Sequence, residues 1–114
     1  MTSSPVSPGP VPSPTPRVLH PEPGLVGVRA QPWDSLQVLA PRRVQVTFYG
    51  GVEACYGLDR VKVRAPPERV AITVFVGRKP KAEVCIEIAE LQAVRVTLDE
   101  PVGDRKIVDG SAVA

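Results

Sequence analysis

Hydrophobic and polar residues alternate along most of the chain after residue 24. Between residues 43 and 49, Val44, Val46 and Phe48 fall on one side of an extended chain, and Gln45, Thr47 and Tyr49 on the other. A period of two is that of a β-strand with one buried and one solvent-facing side. The pattern predicts strands over residues 25–30, 35–39, 43–49, 55–64, 69–76, 84–89, 93–98 and 106–108.

Residues 83–92 are the one segment in which a helix competes with a strand. Val84, Ile86 and Ile88 are β-branched and stand at alternate positions, which favours a strand with these three side chains facing the core. Cys85 then lies on the opposite side of that strand from the apolar residues.

Short strands at even spacing, with Gly, Pro and Asp between them, predict an all-β fold with antiparallel pairing. We expect a two-sheet β-sandwich, immunoglobulin-like in architecture, with a small β-barrel as the second choice. The sequence argues against a true immunoglobulin domain, because Trp33 precedes both cysteines and no Tyr stands two residues before Cys85.

The first part of the chain has a different composition. Residues 1–23 hold eight of the 14 prolines and almost no large apolar side chain before Val18 and Leu19. Such a segment cannot bury enough surface to offset its conformational entropy, so we expect a disordered Pro/Ser-rich leader that acts as a spacer. One domain over residues 24–110 and a tail over residues 111–114 complete the predicted organisation.

Charge and length exclude several classes of function. Lys and Arg number 14 against 12 Asp and Glu, and this balance gives no field that would attract nucleic acid. The basic stripe Arg60, Lys62 and Arg64 lacks the interleaved aromatics of a nucleic-acid surface. No apolar run approaches the ~20 residues of a membrane span. We expect no nucleic-acid partner, and contact with a membrane only through a lipid anchor that has been removed.

Cys55 and Cys85 are the only cysteines. They could form a disulfide, remain reduced in the core, or supply a reactive thiol. The one histidine, His20, lies in the leader, so the domain lacks a base for a thiol nucleophile and a ligand set for zinc. A spacer before a compact β domain is typical of exported proteins, in which disulfides persist. We therefore expect a Cys55–Cys85 disulfide, placed at an edge near residues 50–57 and not through the core.

Catalytic signatures are absent from the sequence. We expect no metal site and no cofactor. A small carboxylate-dependent hydrolase or lyase remains the alternative, with candidate acids Glu53, Asp59, Glu83, Glu87 and Glu90.

Large aromatic side chains are few, and those that face solvent could form a patch for a protein partner. The candidates for this surface are Trp33, Tyr49, Tyr56 and Phe75.

Five stretches carry a resemblance to a known family. They are residues 50–56 (GGVEACY), 58–61 (LDRV), 84–89 (VCIEIA), 98–101 (LDEP) and 108–110 (VDG). Over roughly residues 27–110 the chain resembles a family of small actinobacterial exported proteins, often lipoproteins. That family has no assigned activity, so the resemblance implies an envelope or extracellular setting and carries over no functional residue. The chain departs from it in lacking a signal and a lipobox cysteine; residues 2–23 would suit the linker that follows a removed lipobox.

These observations predict a non-enzymatic, extracellular or cell-envelope domain that binds a protein or an envelope component. A cytoplasmic interaction protein with reduced thiols is the second alternative.

Overall fold

The computed structural model describes residues 15–112, with the side chain of Ala112 left aside. Its strands are β1 (Arg17–Val18), β2 (Val26–Gln31), β3 (Ser35–Ala40), β4 (Arg43–Gly50), β5 (Tyr56–Arg64), β6 (Arg69–Arg78), β7 (Glu90–Thr97) and β8 (Lys106–Asp109), followed by a 3-10 turn at Gly110–Ala112.

The strands form two sheets that pack face to face. The first sheet has the order β1-β7-β4-β3; in the second, β6 pairs with β5 on one side and with both β2 and β8 on the other. Most pairs are antiparallel, while β1 with β7 and β6 with β8 are parallel. Over the described residues the sheets do not close into a barrel, so the predicted all-β sandwich is confirmed and the barrel is not.

The core lies between the sheets and is built from the inward positions of the alternating strands. Successive side chains of a strand point to opposite faces of the sheet. In β4 and β6, one set of alternate residues therefore faces the core, and the residues between them face outward. The most deeply buried of these side chains are Val44, Val46, Phe48, Val70, Ile72 and Val74.

The domain begins before Gly24, the boundary drawn from the sequence. Arg17 and Val18 pair with Gln92 and Ala93 of β7. The buried side chain of Leu19 joins the core, and its backbone N–H donates a hydrogen bond to the carbonyl of Ala93 at 2.8 Å. Of the predicted leader, residues 1–14 lie outside the described residues; of the predicted tail, residues 113–114 do.

The strand predicted at residues 84–89 does not form, and its prediction was wrong. The chain leaves β6 in one sheet and enters β7 in the other, so the segment between them crosses the sandwich and runs along neither sheet. Val84, Ile86 and Ile88, predicted to face the core, are 85%, 60% and 56% exposed. We call residues 79–89 the connector.

Candidate functional site

The connector is held to the sandwich by the disulfide between Cys55 and Cys85, as predicted. Cys55 is buried at the start of β5, and the two Cα atoms lie 5.8 Å apart. Residues 51–55 cross between the sheets in the same way as the connector, and both crossings lie at one end of the sandwich. The bridge therefore joins two crossings and does not pass through the core, in agreement with the predicted edge position.

The connector backbone pairs with none of the described strands. Its first turn is fixed by two hydrogen bonds, from Lys79 N–H to the Cys55 carbonyl at 2.7 Å and from Ala82 N–H to the Lys79 carbonyl at 3.1 Å. Within the described part of the chain, residues 83–88 make no backbone–backbone hydrogen bond. The Val84 carbonyl lies 3.3 Å from the Cys55 sulfur; the other amide and carbonyl groups of this segment have no backbone partner among the described residues.

Beside the connector lies an open cleft of about 260 Å³. Ile86, Glu87 and Ile88 form one wall, and Tyr49 and Tyr56 contribute the aromatic surface. Arg29 from β2 also lines it. The lining thus combines apolar and aromatic side chains with one cation and one anion, the usual composition of a binding cleft. We call this the connector cleft.

Local backbone geometry places both tyrosines at the cleft. Tyr49 is exposed at the end of β4, where the amide of Gln31 donates to its carbonyl at 3.2 Å. The ring of Tyr56 lies directly over Gly51, and any Cβ at that position would collide with it. Gly51 is therefore required so that the ring can lie flat against the chain.

Beneath the cleft, Gln92 is the one buried polar side chain among the described residues. Its amide Nε2 donates to the carbonyl of Gly51 at 2.8 Å. A Cβ at Gly50 would collide with Oε1 of the same amide. This hydrogen bond fixes the turn that supports Tyr56.

We expect Gln92→Ala to lower the free energy of unfolding by about 1–2 kcal/mol, because the Gly51 carbonyl loses its donor and a small cavity forms. Urea denaturation followed by tryptophan fluorescence measures the change. Gln45→Ala is the matched control: Gln45 bonds only Arg95 near the surface, and its loss should cost under about 0.5 kcal/mol. Equal costs for the two variants would contradict this role for Gln92.

Trp33 and Phe75 lie apart from the connector cleft. The indole N–H of Trp33 donates to the Ile72 carbonyl at 2.9 Å, and its half-buried ring packs against the core. Phe75 lies on the outer face of the second sheet, with the guanidinium of Arg60 4.2 Å from its ring centroid. Of the four aromatic candidates, the structure brings together Tyr49 and Tyr56 only.

Two of the five candidate acids share one basic partner, and a third pairs with its chain neighbour. Arg17 forms ion pairs with Glu90 at 3.1 Å and with Glu53 at 3.9 Å, and Asp59 pairs with Arg60 at 2.7 Å. Among the five candidates, Glu87 alone lines the connector cleft. The pair of carboxylates that glycoside hydrolysis requires is therefore not assembled from these residues in that cleft.

A second cavity, of about 280 Å³, contains acids that the sequence did not single out. Asp99 and Glu100 line it together with Arg105. The Arg105 guanidinium donates to the Pro101 carbonyl at 2.7 Å and to the Val102 carbonyl at 3.1 Å. Arg105 thus fixes the loop backbone, which gives this cavity a structural role.

Residues 15–112 contain neither a metal-binding cluster nor a membrane-spanning helix. In that part of the chain, no three His, Cys, Asp or Glu side chains cluster closely enough to hold a metal ion. It also contains no helix with the length and hydropathy needed to cross a bilayer.

Comparison of the chain with protein-family models, with curated proteins and with solved structures found no significant match.

Proposed function

We propose that this chain is a non-enzymatic domain of the cell envelope or extracellular space that binds an extended segment of a protein partner in the connector cleft. The observation that carries this proposal is the exposed, unpaired connector, whose Ile86 and Ile88 border a cleft with two tyrosines. Contiguous exposed apolar surface of this kind is typical of protein interaction sites.

The partner's chemistry follows from the backbone of residues 83–88, which makes no backbone–backbone hydrogen bond to the described residues. An extended peptide can supply hydrogen bonds to such groups, as in recognition by strand addition. Alternate side chains of that peptide would then enter the cleft and contact Ile86, Ile88 and the tyrosine rings. Arg29 and Glu87 lie in the same cleft and would select charged residues at neighbouring positions of the peptide.

The disulfide supports the proposed location, because such bonds persist in oxidising compartments. The Pro-rich stretch that precedes the domain suits a spacer, since proline favours extended polyproline II chain. In this arrangement the spacer would hold the domain away from its attachment point, and the connector would face the partner.

Selection of displayed random 12-residue peptides on the wild-type protein tests this function. The recovered peptides should bind the Ile86→Ser variant at least about tenfold more weakly than the wild type, because burial of one Ile side chain contributes about 1.5–3 kcal/mol. Fluorescence anisotropy with labelled peptides measures the affinities. The control is Val38→Ser on β3, since Val38 is 53% exposed and lies outside the cleft; it should bind as the wild type does.

Two outcomes would contradict the proposal. One is a selection that yields no saturable peptide binder, or binders that do not distinguish Ile86→Ser from the wild type. The other is hydrolase or lyase turnover that Glu87→Gln abolishes, which would favour the carboxylate-dependent alternative.

A further inference from the structure

The strand β3 forms the open edge of the first sheet. It pairs with β4 on one side, and none of the described strands pairs with it on the other. Its sequence, SLQVLA, contains no charged residue and no proline. Val38 and Leu39 are 53% and 41% exposed along this edge.

Three of the other described edges carry features that discourage pairing. On β5, Arg60, Lys62 and Arg64 are exposed, and the N–H of Glu22 covers the Leu58 carbonyl at 2.9 Å. The edge of β2 is interrupted near Gly27 by a bulge and by a backbone φ of +60°. The remaining edge strand of the first sheet, β1, is only two residues long. Lysine, arginine, bulges and short strands are the usual protection of sheet edges. The pairing of β3 with β4 also shifts register, between Val38 and Ala40, but β3 carries no lysine or arginine.

We infer that β3 is a self-association surface, on which a second copy of this chain pairs its own β3 in antiparallel orientation. The result is a two-fold dimer with a continuous eight-stranded sheet, twice the four strands of one copy. This inference does not depend on the proposed function. No β3 residue lines the connector cleft, so a dimer would carry two open clefts and bind a multivalent partner with increased avidity.

Charge complementarity favours a second copy as the occupant. Asp34, exposed, immediately precedes β3, and Arg42, also exposed, lies in the turn that follows it. An antiparallel pair centred on Val38 places the Asp34 end of each strand beside the Arg42 turn of the other copy. A parallel pair would instead bring like charges together. The uncharged strand between these ends can pair with itself without repulsion.

The interface of one six-residue strand is smaller than the ~1,600 Å² of a stable complex, so the dimer should be weak. Sedimentation equilibrium of the full chain from about 1 µM to about 1 mM should show the mass rising from 12.2 kDa toward twice that value. Val38→Lys should weaken the association at least about tenfold, because two lysines would face each other across the two-fold axis. Gln37→Lys, at an exposed position of the same strand, is the second variant if Val38→Lys does not fold.

A charge exchange tests the antiparallel register. Asp34→Arg alone and Arg42→Asp alone should each weaken the dimer by about three- to tenfold, since each puts like charges at both ends of the pair. The double variant Asp34→Arg/Arg42→Asp should restore the wild-type association. Ile86→Lys is the control; it places a lysine at a comparably exposed position on the connector and should leave the dimer unchanged.

Three results would overturn the inference. The molecular mass could stay at that of one chain up to about 1 mM. Alternatively, Val38→Lys and Gln37→Lys could associate like the wild type, or the double variant Asp34→Arg/Arg42→Asp could fail to restore association. Selected peptides that bind the monomer and are lost in Val38→Ser would show that β3 accepts a foreign strand, which also overturns it. The two proposals fail separately, because Ile86→Ser acts on peptide binding and Val38→Lys on dimerisation.

Discussion

Replacing Cys55 and Cys85 together with alanine is expected to lower the free energy of unfolding by about 3–4 kcal/mol. The bridge joins residues 30 positions apart. In the chain-entropy model, closing a loop of that length lowers the conformational entropy of the unfolded chain, and this loss accounts for the expected change in free energy. A domain of this size buries a small core, so the loss would be a large share of its stability. Urea denaturation followed by the fluorescence of Trp33, the one tryptophan, measures it.

A single variant separates the bridge from side-chain packing. Cys85→Ala also removes the disulfide but keeps the buried Cys55 side chain in place. If loop closure dominates, Cys85→Ala should cost nearly as much as the double variant, and wild-type protein treated with a reductant should match both. A cost under about 1 kcal/mol, or two free thiols titrated in unreduced, denatured wild-type protein, would contradict the expectation.

The same variants link stability to binding. Without the bridge, the backbone hydrogen bond that still joins the described part of the connector to the crossing at residues 51–55 is the one from Lys79 N–H to the Cys55 carbonyl. Ile86 and Ile88 would then sample many positions relative to Tyr49 and Tyr56, and a peptide would have to order the connector when it binds.

The sequence was sufficient to predict the sandwich because alternation decides which side of each strand is buried. In β4 and β6, every second residue is an aliphatic or aromatic side chain that joins the core, and most of the residues between them are polar or small. The cysteine pairing could also be predicted, since composition left few chemical roles for two cysteines in a small β domain.

The connector shows the limit of the same signal. Apolar and polar residues alternate over residues 84–89 as clearly as in β4. Such alternation indicates that the side chains suit a strand, but it does not indicate whether another strand is available to pair with the backbone. The ladder between β4 and β7 ends with Gly50 opposite Glu90. No strand is then left beside the connector, and its apolar residues face solvent. The connector, on which the proposed function rests, is therefore the segment whose structure the alternating pattern predicted incorrectly.

Long-range contacts also decided the aromatic surface. Tyr49 and Tyr56 line the same cleft because residues 51–55 carry the chain from one sheet to the other at the end where the connector also crosses. Trp33 and Phe75 have similar local sequence character, but strand order places Trp33 on Ile72 and Phe75 under Arg60. Strand order could not be derived from the sequence.

Leu19→Ala is expected to lower the free energy of unfolding by about 2–3 kcal/mol, although Leu19 falls in the segment whose composition predicted disorder. Its side chain belongs to the core, so truncation leaves a cavity in addition to the lost transfer free energy. The value lies toward the lower end of the range for Leu→Ala because Leu19 is near the margin of the sandwich, beside the two-residue strand β1. Denaturation of the full chain, followed by near-ultraviolet circular dichroism, measures the change.

Leu39→Ala supplies the matched control, with the same atoms removed from a side chain that is 41% exposed. It should cost under about 1 kcal/mol when measured at low micromolar concentration, where β3 pairing contributes nothing. If the two variants cost the same, Leu19 does not belong to the core and the domain begins at Gly24. If Leu19→Ala costs more free energy than Leu39→Ala, the chain from Arg17 onward is part of the folded unit. The local abundance of proline then does not prevent Leu19 from packing between β7 and β5.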